Sequence, residues 1–508
     1  MKRSAFFEKT ILLTLSNIAT GTLAFIFSIM LSRKIGARGV GLYQLVMPLY
    51  MFFLYLTGGG ITITLSKIAA EKKALGKLKE LYKTVRVLCL FELLWSTIIT
   101  LIVIIFAKFL SSNILSDART LYGILAFCPA LIVVSISSVI KGVFYGLQRV
   151  MEPALIDIIE KAFRIGVLYF VVSITSKFGM EFSAGGAIFS MTCAELLSLI
   201  LLYSFYKRYS LKNPGYGKCD NGFQLIFNVL KLSIPLGLNG ILSTLFGTII
   251  TVLIPQRLQA AGIPYENSLS LLGKLQGMAL NIAFYPAIII GSLNILLIPS
   301  ISEAVTFKKN HIINHRINIA LKIASITAFS SAVLMFAIPL KLGEFFFKDP
   351  AVGELLRVLA PFLPIVYIES VSFALLNGLG KQKSLLINST ILSIFDLIIL
   401  YIFLAIPSVN VKGYAVDFAL SGMLGLILNF TVIKRNFDYK LKAFENIILP
   451  FLISIFMYIL IKALLINLKS TPVIILSAYC IFLALYILMD KLSGSSKKIQ
   501  LYNDIKHN

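Results

Sequence analysis

Stretches of about twenty predominantly apolar residues recur from one end of the chain to the other, among them residues 12–31, 88–106, 232–254 and 447–465. Each is long enough to cross roughly 30 Å of hydrocarbon as an α-helix. Lipid offers the backbone no hydrogen-bond partners, so a span is either a helix or part of a closed barrel, and the short alternating segments of a barrel are absent. Composition agrees, because 58% hydrophobic and 14% charged residues in 508 positions could not be hidden in one soluble core. The first apolar run follows Lys2, Arg3 and Lys9, has full span length and lacks a small-residue cleavage pattern, so it reads as a span and not as a signal peptide. The fold class expected is an all-α polytopic protein of the cell membrane.

Charged and Gly/Pro punctuation predicts about fourteen spans, beginning near residues 10, 41, 84, 120, 153, 184, 226, 270, 317, 355, 384, 411, 445 and 471, each of the length a bilayer requires. Connections after even-numbered spans hold nearly twice as many Lys and Arg as those after odd-numbered ones; Lys67, Lys72, Lys73, Lys77, Lys79, Lys83 and Arg86 fall in the first alone. Basic residues accumulate on the cytoplasmic side, so both termini are expected there. The same rule accounts for the formal charge of +24 without a nucleic-acid partner, and contact with anionic membrane lipids follows from it.

Cys89, Cys128, Cys193, Cys219 and Cys480 are scattered without metal or redox spacing, as small hydrophobes are. His311, His315 and His507 lie in polar connections with no acidic partner motif, so no metal site is expected beyond a coupling Na⁺, and no cofactor.

An internal duplication is visible at an offset of 232 residues. Gly146-Leu147-Gln148 corresponds to Gly378-Leu379-Gly380, and Leu168-Tyr169 to Leu400-Tyr401. Further on, Gly186-Ala187 resembles Tyr414-Ala415, and the sixth and twelfth spans end on Lys207-Arg208 and Lys434-Arg435. Span 1 ends on Arg33 and span 7 on Arg257. The expected lobes are 1–220 (spans 1–6) and 221–440 (spans 7–12), with spans 13 and 14 and a cytoplasmic tail in 441–508. Six is even, so the two copies enter the membrane from one side, as parallel repeats about an axis along the membrane normal. Such lobes are expected to rock about a substrate cleft.

Ionisable side chains at bilayer depth are costly and serve as functional candidates. Span 5 carries Asp157, Glu160, Lys161 and Arg164; the i, i+4 spacing pairs Asp157 with Lys161 and Glu160 with Arg164 as self-neutralising charges, while Lys161 and Arg164 could instead receive a phosphate. Lys274 has no acidic neighbour on its own span, is followed by Gln276 and Asn281, and precedes the helix-loosening Pro286 and Gly291. Arg33, Lys34 and Arg38 after span 1 and Arg257 after span 7 stand at the headgroup layer. Acids fall elsewhere, at Glu92, Glu195, Glu369, Asp396 and Asp417. Asp396 occupies the repeat position of Arg164, and with Asp417 and Asn239 it is the candidate site for a coupling Na⁺ or H⁺; a protonated acid bonded between helices is the alternative.

The run Ser-Arg-Lys-Ile-Gly-Ala-Arg-Gly-Val-Gly-Leu-Tyr at residues 32–43, the triplet Gly58-Gly59-Gly60 leading to residues 66–71, and residues 255–262 resemble the stage V sporulation protein B group. That group is in the polysaccharide-transport branch of the multidrug/oligosaccharidyl-lipid/polysaccharide exporter superfamily. The resemblance covers essentially the whole chain. It implies a V-shaped two-lobe fold and flipping of a lipid-linked sugar, such as the undecaprenyl-pyrophosphate cell-wall precursor lipid II, for spore cortex or wall synthesis. Lipid II flippases of Gram-negative type carry arginines within spans 1 and 2, where this chain has Asn17, Gly21, Phe53 and Leu54. Those contacts do not carry over, and the headgroup must use other residues: Lys274, Arg164, Lys161, Arg33, Arg257, Gln276 and Asn281.

A multidrug antiporter of the same superfamily is the nearest rival and would line its lobes with acids and aromatics. A membrane-embedded enzyme would need a catalytic cluster in an outer connection, and those connections are short. A scaffold among wall-synthesis proteins would tolerate neutralisation of every buried charge.

Overall fold

The computed structural model describes residues 2–214, 221–307, 310–437, 441–463, 468 and 470–492, with side chains from Leu12 to Asp490. Cys219, His507, the tail beyond residue 492 and the side chains of Lys2, Arg3 and Lys9 lie outside the described residues. The described residues form helices joined by turns and short connections, without a strand. In chain order the helices are α1 (Lys2–Gly58), α2 (Ile61–Ala74), α3 (Leu78–Phe109), α4 (Leu121–Gly146), α5 (Met151–Thr175), α6 (Met180–Lys212), α7 (Gly222–Ala260), α8 (Tyr265–Lys274), α9 (Leu280–Phe284) and α10 (Ala287–Thr306). They continue as α11 (Asn310–Ala337), α12 (Pro339–Phe347), α13 (Pro350–Leu359), α14 (Leu363–Gly378), α15 (Gln382–Phe403), α16 (Gly413–Asn436), α17 (Leu449–Ala463) and α18 (Thr471–Leu492).

Twelve helical stretches among the described residues are long and apolar enough to span a membrane. The first, Leu12–Ala74, holds both expected spans 1 and 2, because two helices join across a kink inside α1 at Gly36 (φ 67°, ψ 175°) with no intervening loop. That conformation favours glycine. α5 is not among the twelve, since it carries the four charges that the sequence placed there. These two cases account for the difference from the expected fourteen.

The 232-residue repeat is visible in backbone geometry. Gln148 and Gly380 each take the left-handed conformation, φ 61° and 72°, just after α4 and α14. The next amide closes the same ring in each, Arg149 N–H to Phe144 O at 2.9 Å and Lys381 N–H to Leu376 O at 3.0 Å, the helix-ending motif that satisfies orphan carbonyls. Ser116 and Lys348 both have φ 56°, and the aspartates that follow them, Asp117 and Asp349, accept a backbone N–H two residues on, as N-caps do. A Cβ on Gly146 would strike the Ser66 carbonyl, and one on Gly378 would crowd the Ile298 carbonyl, again 232 apart.

Packing divides the chain into two compact units: residues up to Met278 with Leu400–Asn410, and Ala279–Ile399 with the residues from Val411 onward. This division differs from the repeat boundary at 220 because α7 and α8 lie against α1. Small residues permit that approach: a Cβ on Gly273 would fall on the Ala37 carbonyl, one on Gly41 on the Leu269 carbonyl, and one on Gly60 on the Ser233 carbonyl. Ala37 and Gly41 on α1 and Gly273 and Gly277 on the facing segment make a small-xxx-small pair, the membrane device for close helix contact. In the second unit, Lys322 on α11 pairs with Asp490 on α18 at 3.0 Å, and Asn446, preceding α17, donates to Asn318 at 2.7 Å, which docks the last two spans.

Candidate functional site

In the first unit, charge collects on α4, α5 and α6. Lys141 Nζ lies 2.8 Å from Asp157 Oδ1, and Lys161 Nζ lies 2.7 Å from Glu160 Oε2. The expected i, i+4 pairs do not form. The short Asp157 side chain meets Lys141 from the neighbouring helix instead, and the flexible stem of Lys161 folds back on Glu160 beside it. Sequence reasoning missed Lys141; its signal is a lone lysine inside the apolar α4. Glu195 on α6 is within electrostatic reach of Glu160, Lys141, Lys161 and Arg164.

Arg164 is the distinctive member. Its guanidinium sits 4.1 Å over the Phe27 ring and donates to Tyr43 Oη at 2.9 Å, while its Nε is buried and unbonded. Among the described residues no carboxylate lies within 4 Å of it. A planar fork held by an aromatic face and a phenol, about 20 Å along α5 from the helix start, is ready for a bidentate anion.

Two further cations are clasped by aromatic rings. Lys34 lies 4.0 Å over Tyr169 and donates to Ser173 at 3.1 Å; Arg257 lies 3.8 Å over Tyr401 and donates to the Tyr401 carbonyl at 2.9 Å. Arg33, one residue before the clasped lysine, is exposed.

Lys274 is half-buried at the last position of α8, where residues Leu275–Ala279 form a π-helical turn; such turns often mark functional positions. Gln276 donates to Thr251 at 3.4 Å. The chain breaks between α9 and α10 at Tyr285 and Pro286, as the proline predicts. Asn281 lies on α9 in the second unit, so the structure assigns Lys274 and Gln276 to one unit and Asn281 to the other.

The connections after spans 1, 3 and 7 meet in a polar network. Arg119 grips Asp117 through two bonds of 3.0 and 2.8 Å and reaches Glu266 at 3.0 Å. Tyr265 donates to Asp117 at 2.8 Å, Gln256 donates to Ser116 at 3.1 Å, and Arg38 lies 3.9 Å from Glu266. Burial alone would raise the Asp117 pKa, but bonds from Arg119 and Tyr265 outweigh it and hold the carboxyl below its ordinary range,.

Acids dominate the second unit. Asp417, buried on α16, accepts from Ser421 at 3.2 Å, and Ser421 also faces Asp396 on α15. Glu369 on α14 accepts from Asn429 at 3.4 Å, and Asn429 in turn bonds Ser372 and Asn388, both at 2.9 Å. Asp396 is within electrostatic reach of both Asp417 and Glu369. Asp396 and Asp417, two of the three residues expected at the coupling-ion site, thus share the Ser421 hydroxyl. Asn239 belongs to α7 of the first unit. Sequence reasoning overlooked Ser421, Asn388 and Asn429, polar residues of an ordinary kind within apolar helices. No three acidic, histidine or cysteine side chains among the described residues cluster closely enough to hold a metal ion, so a cation there would take two carboxylates and the Ser421 hydroxyl.

A family model described as polysaccharide biosynthesis protein matches residues 6–305. The chain is 25% identical over 448 residues to stage V sporulation protein B of Bacillus subtilis, an alignment covering 88% of this chain and 86% of that protein. Among solved structures, the lipid II flippase MurJ in an inward closed conformation matches with a TM-score of 0.68 at 15% identity, covering 97% of this chain and 98% of that one. An inward-facing multidrug resistance transporter of the MATE family matches with a TM-score of 0.64 at 15% identity, covering 84% and 94%. Both likenesses are of fold.

Proposed function

The chain belongs to the polysaccharide biosynthesis protein family, within the multidrug/oligosaccharidyl-lipid/polysaccharide exporter superfamily, and on that premise we propose that it is an alternating-access flippase for an undecaprenyl-pyrophosphate-linked oligosaccharide or peptidoglycan precursor. Lipid II for spore cortex or wall synthesis is the substrate we favour, in keeping with the names of its relatives. The observation that carries this reading is Arg164, a guanidinium at bilayer depth without a carboxylate partner, positioned by Phe27 and Tyr43. Lys161 lies one turn away. A pyrophosphate suits that fork.

The reaction needs no covalent change. The headgroup crosses while the isoprenoid tail stays in lipid, and α17 and α18 offer the tail a groove of about 360 Å³ lined by Leu449, Leu452, Ile453, Phe456, Leu485 and Met489. We assign the coupling ion, Na⁺ or H⁺, to Asp396 and Asp417, and both termini to the cytoplasm. Wall-synthesis enzymes that make or consume the precursor are the proposed partners. The acidic second unit also fits a cation-coupled antiporter, the second reading.

The deciding experiment is translocation of lipid II in proteoliposomes, scored by access of its headgroup to an external reagent. Movement by wild type, abolished in folded Arg164→Gln, supports the flippase. An inactive wild type that exports cationic drugs under an ion gradient replaces it with the antiporter.

A further inference from the structure

Six charged side chains share one neighbourhood of the first unit: Lys141, Lys161 and Arg164 against Asp157, Glu160 and Glu195. Formally they cancel, and a purely structural cluster would close three ion pairs. Only two close. Lys141 takes Asp157 and Lys161 takes Glu160, which leaves one guanidinium and one carboxylate, Arg164 and Glu195, within electrostatic reach yet not in contact. The neighbouring buried atoms repeat the pattern, because Glu160 Oε1 and Arg164 Nε both lack a hydrogen-bond partner although Glu160 is 3% exposed. In a medium of low dielectric, an unpaired acid beside an unpaired base is costly unless something bridges them. Lys141, Asp157 and Lys161 keep 24, 30 and 29% of their side-chain surface accessible, and Glu160 keeps 4%, so the cluster is buried at Glu160 and accessible at its other paired members.

A bare pyrophosphate satisfies only half of this arrangement. It would neutralise Arg164 and then lie against Glu195 and Glu160. A group that carries an ammonium next to its anionic part satisfies both halves. Resting on the flippase reading above, we propose that this cluster binds a zwitterionic headgroup, with Arg164 and Lys161 on its phosphate or carboxylate oxygens and Glu195 and Glu160 on its ammonium. What this adds to the favoured substrate is a recognition element: the amine of the precursor's peptide is read by Glu195 and Glu160. The other source of this chemistry is the bulk lipid phosphatidylethanolamine.

Binding to the full-length protein in nanodiscs separates these cases, using four probes: undecaprenyl pyrophosphate, the undecaprenyl-pyrophosphate disaccharide-peptide with a free side-chain amine, the same lipid with that amine acetylated, and phosphatidylethanolamine. Wild type is expected to bind the free-amine lipid about tenfold more tightly than the acetylated one. Glu195→Gln should bind the two alike, and Arg164→Gln should weaken both. Glu160→Gln, which leaves the Lys161 partner in place as a neutral acceptor, serves as a second variant with the same expectation as Glu195→Gln. Equal binding of the free-amine and acetylated lipids by wild type overturns the zwitterion assignment and leaves the flippase reading standing. Competition by phosphatidylethanolamine as strong as that of the free-amine precursor overturns it in favour of bulk lipid. Failure to bind any of the pyrophosphate lipids removes both readings together.

Discussion

The guanidinium of Arg257 lies 3.8 Å over the ring of Tyr401, and the same relation recurs between Lys34 and Tyr169 at 4.0 Å, the two tyrosines being 232 positions apart. In each repeat a cation at the end of the first span is thus seated on the fifth. A cation over an aromatic face contributes ~0.5–2 kcal/mol. Tyr401→Leu should lower the thermal unfolding midpoint of the purified protein, while Tyr401→Phe, which keeps the ring, should not. The bond from Arg257 to the residue-401 carbonyl survives both changes, so equal losses in the two variants would deny the ring its role.

Gln148 does at the end of α4 what Gly380 does at the end of α14, but with a Cβ. Non-glycine residues in the left-handed region are strained by about 1–2 kcal/mol, and glycine returns part of that gain through its freer unfolded chain. Gln148→Gly should therefore stabilise the protein by a few tenths to ~1 kcal/mol. Gly380→Ala should destabilise it by about 1 kcal/mol, although nothing stands within 4 Å of the added methyl. A midpoint that moves in neither variant would mean that the α4 and α14 ends fray before the global transition.

The repeat was legible because turns are local: Gly146-Leu147-Gln148 and Gly378-Leu379-Gly380 carry their geometry in three residues. Spans were legible from apolar length, and Arg164 from its place inside one. What escaped needed partners remote in sequence. Lys141 meets Asp157 across two helices, and Tyr265 meets Asp117 over 148 positions. The packing boundary at Met278 escaped for a similar reason, since only the meeting of Gly273 with Ala37 and Gly41 shows why α8 lies on α1.

That meeting is itself testable. Gly273→Val would drive its side chain into the Ala37 backbone, which cannot rotate away, and overpacking of this kind costs ~1–3 kcal/mol or more. Folded yield in membranes should fall steeply for Gly273→Val and hardly at all for Gly166→Ala, a helical glycine with open space around it. Comparable yields of Gly273→Val and wild type would remove the close approach as a requirement.

Asp117 sets a pH dependence. Its carboxyl is held below the ordinary range despite burial, by Arg119 and Tyr265, so the folded state binds a proton less readily than the unfolded one. The stabilisation is present above the unfolded-state pKa near 3.8 and is lost as pH falls through the lower folded value. Thermal unfolding followed downward from pH 6 should show wild type losing stability at the acid end. Asp117→Asn should begin lower by on the order of 2 kcal/mol, the worth of charge-assisted bonds, and should vary less with pH. An unchanged acid profile in the variant would mean that other carboxylates govern it.

Asp396 occupies the position in the second repeat that Arg164 holds in the first, so one ancestral site now presents a cation in one copy and an anion in the other. The first suits a phosphate, and the second, with Asp417 and the Ser421 hydroxyl beside it, suits a small cation. If Asp396 binds the coupling ion, Asp396→Asn removes half of the anionic charge facing that ion, while Arg164 and Lys161 are untouched. Initial translocation rates should then lose their dependence on an imposed Na⁺ or pH gradient by at least about tenfold, equivalent to roughly 1.4 kcal/mol, with headgroup binding unchanged. Ser421→Ala should give a smaller loss of the same kind, since it removes a neutral oxygen ligand and no charge. An Asp396→Asn variant that responds to both gradients as wild type does would place the coupling ion elsewhere.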